Sequence, residues 1–269
     1  MNDPWPKRIV CLTEETTETL YLLGEEQRIA GITSYTVRPE RARKEKPVVS
    51  AFTSANIDAI IELQPDLVLG FSDIQADIAA ALIRKGIEVY IFNQRSVEEI
   101  LNMILRLGTL VGQAEKAGEL VAGYRADISG IAEETKEGIP RPVIWFEEWY
   151  EPMISGIRWV SELIEIAGGT DCFPEFRSGA LARDRIVKEP QEVVRRNPDI
   201  IIGSWCGRSF RPDRVVKRPG WENIKAVKEG ELHEIDSSLI LQPGPAALTD
   251  GLKELRKIIR NWQNRQIGL

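Results

Sequence analysis

Short apolar runs alternate with amphipathic stretches along the whole chain. Residues 8–12 (RIVCL) are an apolar run, followed by the polar Thr13-Glu14-Glu15-Thr16-Thr17 and an apolar-periodic segment reaching Leu23. This pattern predicts a strand, a turn, and a helix whose first-turn acids suit the helix dipole. Residues 28–32 read as a second strand, 57–63 as a short helix ended by Gln64-Pro65, and 67–69 as a buried strand. Residues 75–85 carry the 3.6-residue period of a helix and stop at Gly86, and 88–92 form another strand. Strands alternating with helices of about ten residues predict βαβ units and a mainly parallel sheet.

From 97 to about 135 the helical pattern is almost unbroken, with Gly108, Gly112 and Gly118 inside it. Residues 114–134 lack Pro and are dense in Ala, Glu, Leu and Lys, all strong helix formers. A helix of about 20 residues spans about 30 Å, the width of a small domain. Lys136-Glu137-Gly138-Ile139-Pro140-Arg141-Pro142 is a breaker, and 143–146 a new strand. The expected division is an N-terminal α/β lobe (1–112), a connecting long helix (113–137) and a C-terminal α/β lobe (138–269). The second half repeats the first in outline: Pro65-Asp66-Leu67-Val68-Leu69-Gly70 is matched by Pro198-Asp199-Ile200-Ile201-Ile202-Gly203, each after a short amphipathic helix. Two similar lobes with a cleft between them fit this repeat, which is far too long for a solenoid.

Composition narrows the possibilities. The 269 residues carry 35 Lys+Arg against 41 Asp+Glu, a net charge of −6, which argues against a nucleic-acid binder. No apolar run reaches the roughly 18–20 residues of a membrane span. The single histidine, His233, excludes sites needing two imidazoles. Cys11, Cys172 and Cys206 have no zinc or redox spacing and suit free thiols in a reducing compartment. The start, MNDPWPKRIV, lacks the features of a signal peptide. A cytoplasmic protein is therefore expected, or a periplasmic or extracellular one if a leader has been trimmed away.

Pro6-Lys7-Arg8-Ile9-Val10-Cys11-Leu12-Thr13, Thr17-Glu18-Thr19-Leu20 and Leu23-Gly24 resemble the opening of the helical-backbone (class III) substrate-binding proteins of ABC transporters. The resemblance continues through Gly31-Ile32-Thr33-Ser34-Tyr35, Val49-Ser50-Ala51-Phe52, Asn56-Ile57-Asp58, Leu63-Gln64-Pro65-Asp66, the long helix, Ile154-Ser155-Gly156 and Leu163-Ile164-Glu165-Ile166-Ala167-Gly168-Gly169. It covers about residues 6–262, and the cobalamin (vitamin B12)-binding branch looks most similar. It implies two Rossmann-like α/β lobes joined by a single long α-helix, a ligand cleft between the lobes and little hinge motion. It also implies a non-enzymatic protein without a cofactor of its own, whose expected ligand is a cobalt corrinoid or related metal chelate. The alternatives are a haem or ferric-siderophore binder, or a cytoplasmic sensor or enzyme on the same scaffold.

Ligands of open α/β lobes bind beyond the C-terminal ends of the strands. The segments expected there are Thr13-Glu14-Glu15, Phe71-Ser72-Asp73, Glu147-Glu148-Trp149-Tyr150 and Ser204-Trp205-Cys206-Gly207-Arg208. Five of the seven Trp lie between Trp145 and Trp221, and a flat conjugated ligand needs aromatic walls. Trp145, inside its strand, reads as core. By resemblance, Phe52 and Phe71 fall where cobalamin binders place rings against the ligand, with Trp205 near a third such place. Glu14, Glu15, Glu147 and Glu148 are read as acceptors facing corrinoid amides, as partners of Arg183, Arg185, Arg208 or Arg211, as ligands of a hard cation, or as dipole and surface residues. Thr13-Glu14 departs from the Ser-Pro usual in the family.

Cys206 beside Arg208 invites a nucleophile reading, but no base accompanies it, and no P-loop, GxSxG or GxGxxG follows a strand. Cys206 as an axial metal ligand stays open, and His233 reads as a satisfied strand residue. Gln242-Pro243-Gly244-Pro245-Ala246 is expected to open the last helix and, by resemblance, to border the cleft. The family presents one acid per lobe to the permease. Asp58, and Glu192 next to Gln191, hold those places here. A monomer is expected.

Overall fold

The computed structural model describes residues 4–135 and 138–267; Lys136 and Glu137 of the expected breaker, and the first three residues, lie outside them. The chain divides into two units, Met1–Gln94 with Glu98–Gly123, and Arg95–Val97 with Tyr124–Leu269.

The first unit is built from β1 (Ile9–Cys11), α1 (Glu14–Leu22), β2 (Ile29–Thr33), α2 (Ala42–Glu45), β3 (Val48–Ala51), β4 (Ser54–Ala55), α3 (Ile57–Glu62), β5 (Leu67–Phe71), α4 (Ala76–Ile83), β6 (Val89–Phe92), nearly all of α5 (Val97–Leu110) and the first half of α6 (Ala114–Glu133). Its sheet runs β4-β3-β2-β1-β5-β6, parallel except for β4. The winding direction reverses between β1 and β5, and such switch points open a crevice beyond the strand ends. Val10, Leu12, Ile60, Val68 and Leu82 pack together with Val49 and Ile78 as a core on the sheet.

The second unit contains the rest of α6, then β7 (Val143–Tyr150), β8 (Met153–Ser155), α7 (Arg158–Ile166), β9 (Thr170–Asp171), α8 (Gln191–Arg196), β10 (Ile200–Gly203), α9 (Pro212–Val215), α10 (Lys225–Glu229), β11 (Leu232–Glu234), α11 (Ser237–Ile240) and, after a π-helical turn at Ala247–Gly251, α12 (Leu252–Gln266). Strand order is β11-β10-β7-β8, with β9 also paired to β7. Trp145, Phe173, Ile201, Trp205 and Trp221 anchor its core.

The repeat has a physical basis. In the first unit the Asp66 carboxylate accepts from the backbone amides of Lys7 and Arg8 at 2.7 and 2.9 Å. In the second, Asp199 accepts from the amide of Val143 at 2.8 Å. Each Pro-Asp thus pins the start of the neighbouring central strand. The terminal glycine of each repeat lets a side chain close on the strand. A Cβ on Gly70 would lie 2.8 Å from Gln75 Oε1 and 2.7 Å from Ile91 Cδ1, and one on Gly203 would lie 1.8 Å from the Phe210 ring.

Two expectations are corrected. The helical stretch from 97 is two helices, because Gly112 turns the chain with φ +76° and Gly108 lets Ala117 pack closely behind it. Glu147–Tyr150 are not a segment leaving the strand. They are its second half, since antiparallel pairing with β8 (Trp149 opposite Ile154, Tyr150 opposite Met153) prolongs β7 to eight residues.

Candidate functional site

At the switch point of the first unit, Gln75 ties three strand ends together. Its Oε1 accepts from the Phe71 amide at 2.8 Å, and its Nε2 donates to the carbonyls of Leu12 (3.2 Å) and Phe52 (2.9 Å). Around this fully buried amide stand Phe71, buried, and Phe52, half-buried. Ser72, with φ +55°, makes the sharp exit from β5, its hydroxyl accepting from the Ile74 amide, and leaves Asp73 exposed. Glu14 and Glu15 open α1 and are buried, at 6% and 2% exposure. Desolvation pushes the Glu15 carboxyl up to about 7, against the pull of hydrogen bonds from its own backbone, Thr13 and Gln94. Gln94 Nε2 reaches Glu15 Oε1 at 3.5 Å. The neighbouring Cys11 thiol, sealed in the sheet, is raised to about 12 and is inert as a nucleophile.

The equivalent place in the second unit is aromatic and basic. Glu147 is wholly buried, and both its oxygens are occupied. Arg218 donates to them at 2.5 and 2.9 Å, Trp145 Nε1 at 3.1 Å and Trp205 Nε1 at 3.2 Å. Such a carboxylate is an anchor for two indoles. Trp205, 3% exposed, meets Tyr150 at 4.7 Å and Phe210 at 5.2 Å between ring centroids, and Tyr150 meets Trp149 at 4.9 Å. The half-buried Trp149 and Tyr150 carry this aromatic array towards solvent. Arg208, exposed, donates to Tyr150 Oη at 3.0 Å and lies 5.8 Å from the Trp149 ring, while Arg214 lies 5.7 Å from the Tyr150 ring. Glu148 is held by both terminal nitrogens of the buried Arg185, at 2.6 and 2.9 Å.

The structure thus brings Glu14, Glu15, Phe52, Phe71, Ser72 and Asp73 to one strand-end cluster. It brings Glu147, Glu148, Trp149, Trp205 and Arg208 to another. Cys206 is exposed next to Trp205, and Gln242 is half-buried in the turn before the last helix, its carbonyl accepting from the Gly244 amide. The helical run that leads through the π-helical turn into α12 does open at Pro245. Sequence reasoning missed Gln75, Gln94, Tyr150 as a link in the array, Arg214 and Arg218. Gln75 carried no signal, following Ser72-Asp73-Ile74 as one more polar residue before the helix. Arg218 had no signal, being 71 residues from Glu147. His233 bonds Glu231 at 2.9 Å. Among the described residues no group of three or more His, Cys, Asp or Glu is placed to hold a metal.

Comparison with known proteins bears directly on this arrangement. The ABC transporter substrate-binding lipoprotein YvrC of Bacillus subtilis (strain 168) is 27% identical over 263 residues, covering 94% of this chain and 80% of that protein. A cobalamin-binding protein of Halobacterium salinarum is 21% identical over 254 residues, covering 90% and 67%. The periplasmic haem-binding protein RhuT of Roseiflexus sp. RS-1 shares the fold with a TM-score of 0.78 at 21% identity, over 94% of this chain and 99% of that one. The family described as "Periplasmic binding protein" matches residues 9–239, from the first residue of β1 into α11. Two α/β units with matched Pro-Asp strand starts, joined through α6, are therefore the two lobes of a member of the periplasmic binding protein family.

Proposed function

We propose that this protein delivers a planar metal chelate to an ABC importer, and that a cobalt corrinoid of the cobalamin or cobinamide type is that chelate. The family is one of solute-binding proteins. The observation that carries the ligand class is the Trp149–Tyr150–Trp205 array at the ends of β7 and β10, whose successive rings are tilted by 35° and 43° and whose Trp205 donates to Glu147. A flat conjugated ring gains most of its contact energy from such faces. The cobalamin-binding relative from Halobacterium supports the corrinoid.

One feature favours a second reading, haem. Arg208 and Arg214 set positive charge over the outer rings, where a carboxylate-bearing ring would be welcome and an amide-bearing corrinoid would gain less. The haem-binding structural neighbour supports it. Delivery would proceed through the exposed Asp58 at the start of α3 and Glu192 at the start of α8, the latter already engaged by Arg195 and Arg196. The lipoprotein and periplasmic relatives support an exported protein rather than the cytoplasmic one expected from the first residues. No helix among the described residues is long and apolar enough to cross a membrane.

The test is a titration of cobinamide, cobalamin and haemin followed by tryptophan quenching and visible absorbance. A dissociation constant of about a micromolar, near −8 kcal/mol, is expected for one of them. Absence of any spectral change up to millimolar chelate overturns the proposal. Tighter binding of haemin than of either corrinoid selects the second reading.

A further inference from the structure

A groove of about 600 Å³ lies wholly within the second unit, between the last turns of α6 and the outer face of α12. α12 turns Leu252, Leu255, Ile258, Ile259 and Trp262 into the core, which leaves Lys253, Arg256, Lys257 and Arg260 on the face towards the groove. Their spacing, i, i+3, i+4, i+7, stacks four cations along about 10 Å of one helix face. The opposite wall offers two acids, Asp127 and Glu134, so the groove holds two positive charges in excess. This stands on a molecule whose net charge is −6.

The cations are unequally satisfied. Arg256, its side chain 12% exposed, donates to Gln263 Oε1 at 3.0 Å and to the Ala167 carbonyl at 3.3 Å, and meets Glu134 at 3.5 Å. Its Nε–H has no acceptor. Lys257 is drawn to Glu254 at 3.2 Å. Lys253 and Arg260 are exposed, and neither pairs with a carboxylate among the described residues. A row of like charges with two unpaired members is repulsive by itself and is relieved by an anion. Gly130, exposed in mid-helix on the α6 wall, is a place where a Cβ would meet nothing within 4 Å. Glycine there costs the helix about 1 kcal/mol relative to alanine without any packing return inside the protein.

We infer that this groove binds the phosphate ester of a small polyol. The phosphate oxygens would lie along Lys253, Lys257 and Arg260. Asp127, facing them, accepts hydrogen bonds and repels a bare anion, so an ester carrying hydroxyls fits better than inorganic phosphate. The volume suits a group larger than phosphate alone. The same chemistry is offered by a free glycerol phosphate and by the headgroup of phosphatidylglycerol.

The experiment uses the full chain and two variants. Lys253→Glu with Arg260→Glu reverses two exposed charges, and Gly130→Leu puts an apolar side chain into the groove from a position where a Cβ meets nothing within 4 Å. Urea unfolding checks that both fold. Calorimetry at low salt uses sn-glycerol 3-phosphate and inorganic phosphate as probes, and flotation uses phosphatidylglycerol against phosphatidylcholine vesicles. Glycerol phosphate is expected to bind at least tenfold tighter than phosphate, and both variants are expected to lose tenfold or more. Vesicle binding confined to phosphatidylglycerol and lost in both variants assigns the lipid source and supports the site as well. Equal binding by wild type and variants, no binding of either probe or vesicle, or equal flotation with the two lipids overturns it. Corrinoid and haemin titrations of the same variants are expected to match wild type, so this inference and the chelate reading fail separately.

Discussion

Glu15, just after the opening strand of its unit, and Glu147, within the opening strand of the other, are both closed off from water, at 2% and 0% exposure. Their partners differ. Glu147 is met by a guanidinium and two indole N–H groups, four donors for two oxygens. Glu15 is met at a stretched 3.5 Å by a neutral amide, and Glu18 on the same helix adds negative charge. A buried carboxylate can be neutralised by a cation or by a proton, and the two units use one means each. The second unit therefore holds a carboxylate–guanidinium pair beneath its rings. The first holds a group whose charge changes near neutral pH.

The sharpest way to break this contrast is to remove the cation. Arg218→Met leaves Glu147 buried without its counter-charge, and a loss of about 3–5 kcal/mol in urea unfolding is expected. Adding Glu147→Gln to that variant should restore part of the loss, because a neutral amide needs no cation. A single variant as stable as wild type would mean that the pair is open to water after all.

Next comes the proton. With the Glu15 carboxyl raised from 4.5 to about 7, the folded protein keeps a proton between those values that the unfolded chain releases. Stability from this group is therefore highest below pH 4.5 and falls as pH rises to about 7, by on the order of 3 kcal/mol. Glu15→Gln removes that slope, so the variant should gain on wild type between pH 5 and pH 8. Parallel pH profiles would show a hydrated, ordinary carboxylate.

The smallest effect concerns the two repeat glycines. Gly203→Ala drives a methyl into the Phe210 ring, which backs the Trp205 array, and should cost about 2–3 kcal/mol. Gly70→Ala meets the tips of Ile91 and Gln75 and should cost about 1 kcal/mol. The difference, read from unfolding midpoints, measures how much stiffer the aromatic strand end is.

What the sequence disclosed follows from the range of each interaction. The alternation of strands and helices and the repeat were legible because Pro-Asp followed by three apolar residues is a contiguous string that recurs, although the contacts Asp66 and Asp199 make with Arg8 and Val143 span 58 and 56 residues. The site segments were legible because their place follows from where strands end. Their partners were not. Arg218, Gln75 and Gln94 reach Glu147, the strand ends and Glu15 from 71, up to 63 and 79 residues away. Nothing in the spacing of those residues marks the pairing. Nor could alternation alone foresee that β7 would run on to Tyr150, since that depends on β8 folding back beside it.

The cysteines have a practical use. Cys11 and Cys172 are buried, with thiols raised to about 12, while Cys206 is exposed one residue from Trp205. A thiol-directed fluorophore added to the native protein should therefore attach at Cys206 alone, with no engineering of the other two. The dye would sit beside the indole of the aromatic array. That makes the wild-type chain its own optical probe, able to report in real time on whatever comes to rest against those rings.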